Sequence, residues 1–503
     1  MAYIWNLLES RNLVSILLFI LVLTLLFKWG RLTGPPSPPK LPIIGNLHQL
    51  GSYPHRTLRS LAKRYGPQLM LIHLGSAPAY VVSSANVAED IMRTHDIAFS
   101  NRLESRIYKR LLYDCKDLLM APYGEYWRRI RGICASQLLS TARVQSLQYI
   151  REEETNLMIQ TIRELHGSVS CPFNLSQLLE QTTNDIVCRA SLGKKYNKKE
   201  EGTLNRVFQE FNALLGLFNI GEYIPWLDWI NNFNGVYKRV EQNYHEIDEL
   251  LEEIIEDHLA TSTASGNKQQ PVLLDVLLDC HNSKDGGFCI TRDSVKAIIL
   301  DIFAGGSDTT YVVLEWAMTE LLKHPEVLER VQGEVRGIIG DRRKAQISRE
   351  DITKMSYLKA VIKESMRLHP SVPLIPRVST QDVVVNGYTI PARTRVLINI
   401  WAIGTDPELW EEPDKFQPER FLNNNNNGHH DDFKWMAFGG GRRRCPGETF
   451  GMALVEFVLA SLLYNFDWSL PDGSDLDMTE FIALALHRMH PLIAIATPIF
   501  SKE

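Results

Sequence analysis

One cysteine carries the sharpest chemistry in this sequence. Cys445 lies in Phe438-Gly-Gly-Gly-Arg-Arg-Arg-Cys-Pro-Gly447, just ahead of an apolar run from Phe450 to Leu463. The run reads as a helix, so a thiolate at Cys445 would sit at the positive end of its dipole, where negative sulfur is stabilised. Gly439, Gly440 and Gly441 let the backbone turn sharply and approach a flat ligand without side-chain clash. Pro446 stiffens the turn. The N–H groups beyond it can point at the sulfur and tune it. Arg443 is placed to meet an anion at the edge of such a ligand.

A second constellation points to proton transfer. Ser294 to Lys323 is apolar with helical period and is stopped by His324-Pro325. At 1.5 Å per residue this helix would run ~45 Å, across a whole domain. Its middle reads Ala304-Gly-Gly-Ser-Asp-Thr-Thr310. Two adjacent glycines there cost roughly 1 kcal/mol each against alanine. A local rule broken inside a strong helix is expected at a functional site. Without side chains at Gly305 and Gly306 the helix can widen beside a ligand, and Asp308 and Thr309 supply an acid and a hydroxyl able to relay protons. A kinked core helix is the plainer alternative.

Two weaker pairs follow. Trp127 and Arg131, four apart, share a helix face and suit a buried carboxylate, while Arg128 and Arg129 point to solvent. Glu364 and Arg367, three apart, lie on a helix from Ser356 to His369 whose buried stripe is Leu358, Val361, Ile362 and Ser365. On a surface such a pair contributes little.

The elements that must position these residues belong to one large, mostly helical domain over residues 42–503. The 503 residues contain no long linker that would divide it. A formal net charge of −5 excludes nucleic-acid binding by bulk charge. Seven scattered cysteines without a Cys-x-x-Cys pair indicate neither a disulfide framework nor a zinc site. Residues 1–29 read as a retained membrane anchor built on Leu13 to Phe27, with Trp5 and Trp29 at its flanks. Lys28, Arg31 and Lys40 place the domain on the cytosolic side. Residues 30–41, with Gly34 to Pro39, form a stiff proline-rich hinge. Strands are expected at Leu69 to Leu74, Ala79 to Val82, Val383 to Val385, Tyr388 to Ile390 and Thr394 to Ile398. Ala88 to Thr94 and the stretch from Ser146 to His258 read as helical. Within the latter, Phe208 to Phe218 and Tyr223 to Trp229 are either core or the roof of a pocket. Ser262 to Gln270 and Asn423 to Asn427 are polar loops, and His429 and His430 read as inert rather than metal-binding.

The pattern Phe-x-x-Gly-x-Arg-x-Cys-x-Gly is matched by Phe438, Gly441, Arg443, Cys445 and Gly447. It resembles the haem-binding loop of the cytochrome P450 family. Gly305 to Thr310 resembles that family's Ala/Gly-Gly-x-Asp/Glu-Thr-Thr motif, and Glu364, Arg367 and Pro418-Glu-Arg-Phe421 resemble its Glu-x-x-Arg and Pro-Glu-Arg-Phe elements. The resemblance spans the chain and is best to the plant microsomal group of clan seventy-one. Gly305 and Ser307 stand where plant members often carry alanine and threonine, and Ala483 where they often carry glycine.

The resemblance implies the cytochrome P450 fold, mostly α with small β-sheets, behind an N-terminal transmembrane helix. It implies haem b with Cys445 as axial ligand. Phe438 and Gly447 would line the cofactor, and Trp127, Arg131, Arg377 and Arg443 would meet its propionates. Asp308 and Thr309 would relay protons. Glu364, Arg367 and Arg420 would form a buried network holding the cysteine loop. Phe303, Ala304, Leu374, Ile375, Phe481 and Ile482 would line an apolar pocket. The implied partners are O2, NADPH–cytochrome P450 reductase, the endoplasmic reticulum membrane and an apolar plant metabolite of terpenoid or indole-alkaloid class. Arg442, Arg443, Arg444 and Lys434 put positive charge on the face an acidic electron donor would meet. Two other functions stay open: oxidative cyclisation, coupling, dehydration or rearrangement without net oxygen insertion, and a membrane haem carrier without turnover.

Overall fold

The computed structural model describes residues 34–165, 171–195, 198–264, 271–282, 290–340, 347–422, 433–472 and 475–499. The anchor segment Leu13 to Phe27, the asparagine run with His429 and His430, and residues 265–270 lie outside the described residues.

Helices dominate, arranged around one that runs from Arg292 to Lys323. Its start is capped by Thr291, whose hydroxyl accepts from Ser294 N at 3.2 Å. It stops where expected, because Pro325 has no N–H to continue the ladder and instead opens the next helix, Pro325–Ile339. The helix is long and apolar enough to cross a membrane by composition, yet 61% of its most apolar window is buried inside the domain. Leu175–Leu192, Ser356–Leu368 and Glu448–Asn465 pack against it, and its Trp316 is fully buried, stacked on His369 and packed with Ala485. Leu358, Val361, Ile362 and Ser365 all face this core.

The strands form small sheets. The largest runs in the order Leu69–Leu74, Ala77–Val82, Arg395–Asn399, Leu374–Val378. Its outer pairings are antiparallel and its middle one parallel, with Val81 opposite Leu397 and Ile375 opposite Ile398. Leu374–Val378, not among the strands expected from the sequence, is the edge strand. Pro376 is tolerated there because an edge residue has no second neighbour to donate to. The end of the proline segment is tied to this sheet: Leu71 N donates to Pro36 O at 2.9 Å.

The aromatic stretches divide between core and surface, the first of them within itself. Phe211 is fully buried, and Phe208 stacks on Phe303 with ring centroids 5.0 Å apart. Phe218, Trp226 and Trp229 are more than half exposed, so the core reading fails for them.

Candidate active site

The cysteine loop is shaped by glycines that no other residue can replace cheaply. Gly439 and Gly441 hold φ of +71° and +66°. A Cβ at Gly441 would lie 2.3 Å from Met92 O. Cys445 N donates to Phe438 O at 2.9 Å and closes the turn. Phe438 packs edge-on against Trp435, whose indole N–H donates to Lys363 O at 3.1 Å. The loop is thereby stitched to the helix that carries Glu364.

Burial pushes the Cys445 thiol up, while the Gly447 N–H aimed at the sulfur and the nearby Arg131 guanidinium act downward. The side chain nevertheless presents accessible surface. Deep placement combined with open surface means the sulfur faces an internal cleft. The Glu448–Asn465 helix begins three residues later, so its positive end lies behind the thiol.

Four guanidiniums gather beside this cleft. Arg443 donates to three backbone carbonyls, Ser100 O at 2.8 Å, Ala121 O at 2.5 Å and Leu118 O at 3.3 Å, and lies 4.2 Å over the Trp127 ring. Arg102 donates to Pro376 O at 2.7 Å and Leu119 O at 2.9 Å. Arg377 is buried and donates only to Pro376 O at 3.2 Å among the described residues. Arg131 donates to Arg444 O at 2.6 Å. None of the four is within ion-pair distance of a carboxylate among the described residues. Burial, and then Arg102 and Arg443, hold Arg377 well below the usual guanidinium range; burial and Arg102 bring Arg443 down to about 9. Asp117 acts on Arg102 and Arg443, Asp301 on Arg102 and Asp96 on Arg377, so the positive potential of the cluster is offset only in part. Trp127 differs from expectation, because its indole N–H is spent on Leu118 O at 2.9 Å. Its part is to brace Arg443, with which it shares that carbonyl.

The central helix packs on the helix that follows the cysteine loop, where a Cβ at Gly451 would lie 3.8 Å from Thr310 Oγ1. Over Ala304–Asp308 it widens into a π-helical turn, as adjacent glycines permit. The two glycines play different parts. A Cβ at Gly306 would touch Val187 at 3.4 Å, whereas one at Gly305 would meet nothing within 4 Å. Thr309 Oγ1 donates to Gly305 O at 2.7 Å, and Thr310 Oγ1 to Gly306 O at 2.7 Å. Asp308 Oδ2 lies 3.3 Å from His487 Nε2.

Behind the loop, Arg367 grips Glu364 with two bonds of 2.7 and 2.8 Å, and both side chains are fully buried. Arg420 Nε adds a 3.0 Å bond to the same carboxylate. Arg367 also donates to Gly404 O at 2.6 Å and Pro413 O at 2.7 Å. The three residues meet as the resemblance implied.

The expected pocket residues do not all share one wall. Phe303 and Ala304 are buried on the central helix. Ile375 Cδ1 would lie 3.4 Å from a Cβ at Gly439, so it borders the cysteine loop. Leu374 instead joins the cluster of Leu58, Met70, Ile72 and Val81, because successive strand residues alternate faces. Phe481 is half exposed and Ile482 half-buried, paired across a ribbon with His487 and Leu486. The cationic face is also thinner than the sequence reads: Arg442 pairs with Asp96 at 3.2 Å and Arg444 with Glu448 at 2.7 Å.

Three participants were not legible beforehand. Arg102, Ser371 (whose hydroxyl donates to Thr309 O at 3.3 Å) and His487 reach the site from distant segments with no spacing signal.

Known proteins agree with this architecture. A family model described as cytochrome P450 matches residues 35–493. The chain is 49% identical over 511 residues to cytochrome P450 736A117 of Prunus mume, with 98% of each chain covered. It is 44% identical over 506 residues to norfluorocurarine oxidase of Strychnos sp, covering 97% of this chain and 98% of the relative. A zebra fish cytochrome P450 structure with progesterone superposes at TM-score 0.75 and 26% identity, over 88% of this chain and 99% of that one. These likenesses define a haem-thiolate monooxygenase, an oxidoreductase. The chain belongs to the cytochrome P450 family.

The residues present fit a haem. Cys445 offers a cleft-facing sulfur to iron, Gly305 leaves open space on the central helix, and the arginine cluster carries positive charge that two propionates would neutralise.

Proposed function

We propose that this chain is a haem b monooxygenase of plant specialised metabolism. It takes an apolar substrate of terpenoid or indole-alkaloid class, with O2 and electrons from NADPH–cytochrome P450 reductase. The observation that carries the reading is the π turn over Ala304–Asp308, which leaves Gly305 beside open space with the Thr309 hydroxyl at its edge. The relative named norfluorocurarine oxidase supports the alkaloid side of the substrate range.

When bound, the haem with its thiolate supplies O–O cleavage and oxidation of an unactivated C–H bond. The chain's residues do the rest. Cys445 would hold the haem iron through sulfur, with the Gly447 N–H tuning the charge on that sulfur. Arg131, Arg377 and Arg443 would receive the propionates, with Trp127 bracing Arg443. Phe438 and Gly447 border the cofactor. Asp308 and Thr309 hold and move the protons that dioxygen reduction consumes. Phe303, Ala304 and Ile375, with Phe481 and Ile482, exclude water around the substrate. Glu364, Arg367 and Arg420 fix the segment behind the loop. Leu13 to Phe27 anchors the domain to the endoplasmic reticulum membrane, facing the cytosol. Arg442, Arg444 and Lys434, on the face of the cysteine loop, meet the reductase.

The test is turnover of a panel of plant alkaloids and terpenoids by the membrane-reconstituted chain with reductase, NADPH and isotopically labelled O2. One labelled oxygen atom per product molecule is the expected result. Product without label would mean oxidative coupling or rearrangement; no NADPH-dependent turnover of any kind would mean a carrier.

A further inference from the structure

The proton relay read from the sequence leaves Asp308 without a source. His487 lies against it, with Nε2 3.3 Å from Asp308 Oδ2. The histidine is held there by its own strand. On one side Leu486 O accepts from Trp316 Nε1 at 2.9 Å, and on the other Arg488 Nη1 donates to Thr319 Oγ1 at 2.7 Å. Both bonds fasten the ribbon Glu480–Ile482/Leu486–Arg488 to the central helix. The His487 ring also lies 6.0 Å from that of Tyr311, whose hydroxyl donates to Glu315 Oε1 at 2.8 Å.

The groups around the ring are Asp308, Tyr311 and Glu315 on the central helix, Glu180 on the Leu175–Leu192 helix, and Arg488 beside it. Burial disfavours the charged imidazole, but Asp308, Glu315 and Glu180 outweigh it and raise His487 above the usual histidine range. Its side chain keeps 18% of its surface accessible, so the ring is packed against Asp308 without being sealed from water.

We propose that His487 is the positioning residue of Asp308 and the group that reloads it with protons; this rests on the relay role proposed above for Asp308 and Thr309. The imidazolium passes its Nε2 proton to Asp308 Oδ2, which leaves neutral imidazole and a carboxylic acid. The acid hands that proton on through the Thr309 hydroxyl and returns to carboxylate. The imidazole takes a replacement proton from solvent. No electrons move, and the pair ends with the charge it began with. Among side chains of ordinary pKa, imidazole alone both carries and releases a proton near neutral pH.

The test compares the holoenzyme with His487→Gln, His487→Arg and Asp308→Asn, each shown to be folded by its carbon monoxide spectrum. With reductase and NADPH and no added substrate, oxygen leaves either as hydrogen peroxide, after two protons, or as water, after four. His487→Gln should lower the water-forming fraction about fivefold to tenfold, short of the full effect of losing a general acid. In wild type that fraction should fall as pH rises through the His487 pKa, whereas His487→Arg should show a reduced fraction with no such dependence. A readout independent of turnover is the His487 pKa by NMR, which Asp308→Asn should lower. If Asp308→Asn uncouples and His487→Gln does not, the His487 role fails and the relay stands. If Asp308→Asn changes nothing, relay and reloading both fail. Wild-type behaviour of His487→Arg at every pH, or an unmoved NMR pKa, would also overturn the reloading role.

Discussion

The hydroxyl of Thr309 donates to the carbonyl of Gly305 at 2.7 Å, across the widened turn of the central helix. The bond parks the hydroxyl against backbone at the edge of the cleft. Thr309→Ala removes the hydroxyl assigned to the relay and leaves the helix backbone without a new constraint. Peroxide released per NADPH should rise several-fold, within the range of a lost acid–base group. Thr309→Ser should restore most of the coupling, and a wild-type ratio in Thr309→Ala would remove the residue from the relay.

The glycines of the two motifs should respond in opposite ways to alanine. At Gly305 a Cβ meets nothing within 4 Å, and the residue is helical. Gly305→Ala should therefore raise thermal stability, by up to about 1 kcal/mol from helix propensity. At Gly441 the φ is +66° and a Cβ would lie 2.3 Å from Met92 O. Gly441→Ala should cost at least about 1–3 kcal/mol through forced backbone movement and lower the haem content of the purified protein. Thermal melts and the ratio of haem to protein absorbance check both.

Glu364 is fully buried and accepts from Arg367, Arg420 and Gln417 N at 2.9 Å. Glu364→Ala strands the fully buried Arg367 charge, a loss of about 3–5 kcal/mol. The expected outcome is a chain that folds poorly and holds no haem. Glu364→Asp, too short to keep all three donors, should be intermediate. Denaturant titration of the variants against wild type measures the loss; a near-native midpoint for Glu364→Ala would show the network to be dispensable.

How much of this was legible in the sequence depends on distance along the chain. The cysteine turn, the glycine break at Gly305 and the Glu364–Arg367 spacing are local patterns, and each appears in the structure where the pattern puts it. The resemblance added Arg420, whose contact with Glu364 no spacing within one helix encodes. What failed were statements about direction and partners. Leu374 and Ile375 are neighbours on a strand and so face opposite ways. The Trp127 N–H found Leu118 O, and Arg442 and Arg444 found Asp96 and Glu448. Arg102 and His487 were invisible because Pro376 and Asp308, the partners that bring them to the site, belong to segments far along the chain, and only tertiary packing joins them.

Acid should attack the fold through Glu480. Burial alone would raise its pKa, but His55 and Arg56 bring it down to about 2. A folded pKa below the unfolded value stabilises above the unfolded pKa, near 4.5, and the contribution is lost as pH falls towards 2. Because Arg56 is partly solvated, about 2 kcal/mol is a reasonable size for the effect. Between pH 5 and 2 the melting temperature of Glu480→Gln should therefore fall less steeply than that of wild type; parallel slopes would contradict the assignment.

The relay, the propionate cluster and the electron path all radiate from sulfur on iron, so the decisive measurement is the absorption spectrum of the reduced holoprotein under carbon monoxide. Wild type should show the strongly red-shifted Soret band of thiolate ligation, and Cys445→Ser should lose it. An unshifted band in the wild type, or a red-shifted band that survives in Cys445→Ser, would contradict Cys445 as the ligand.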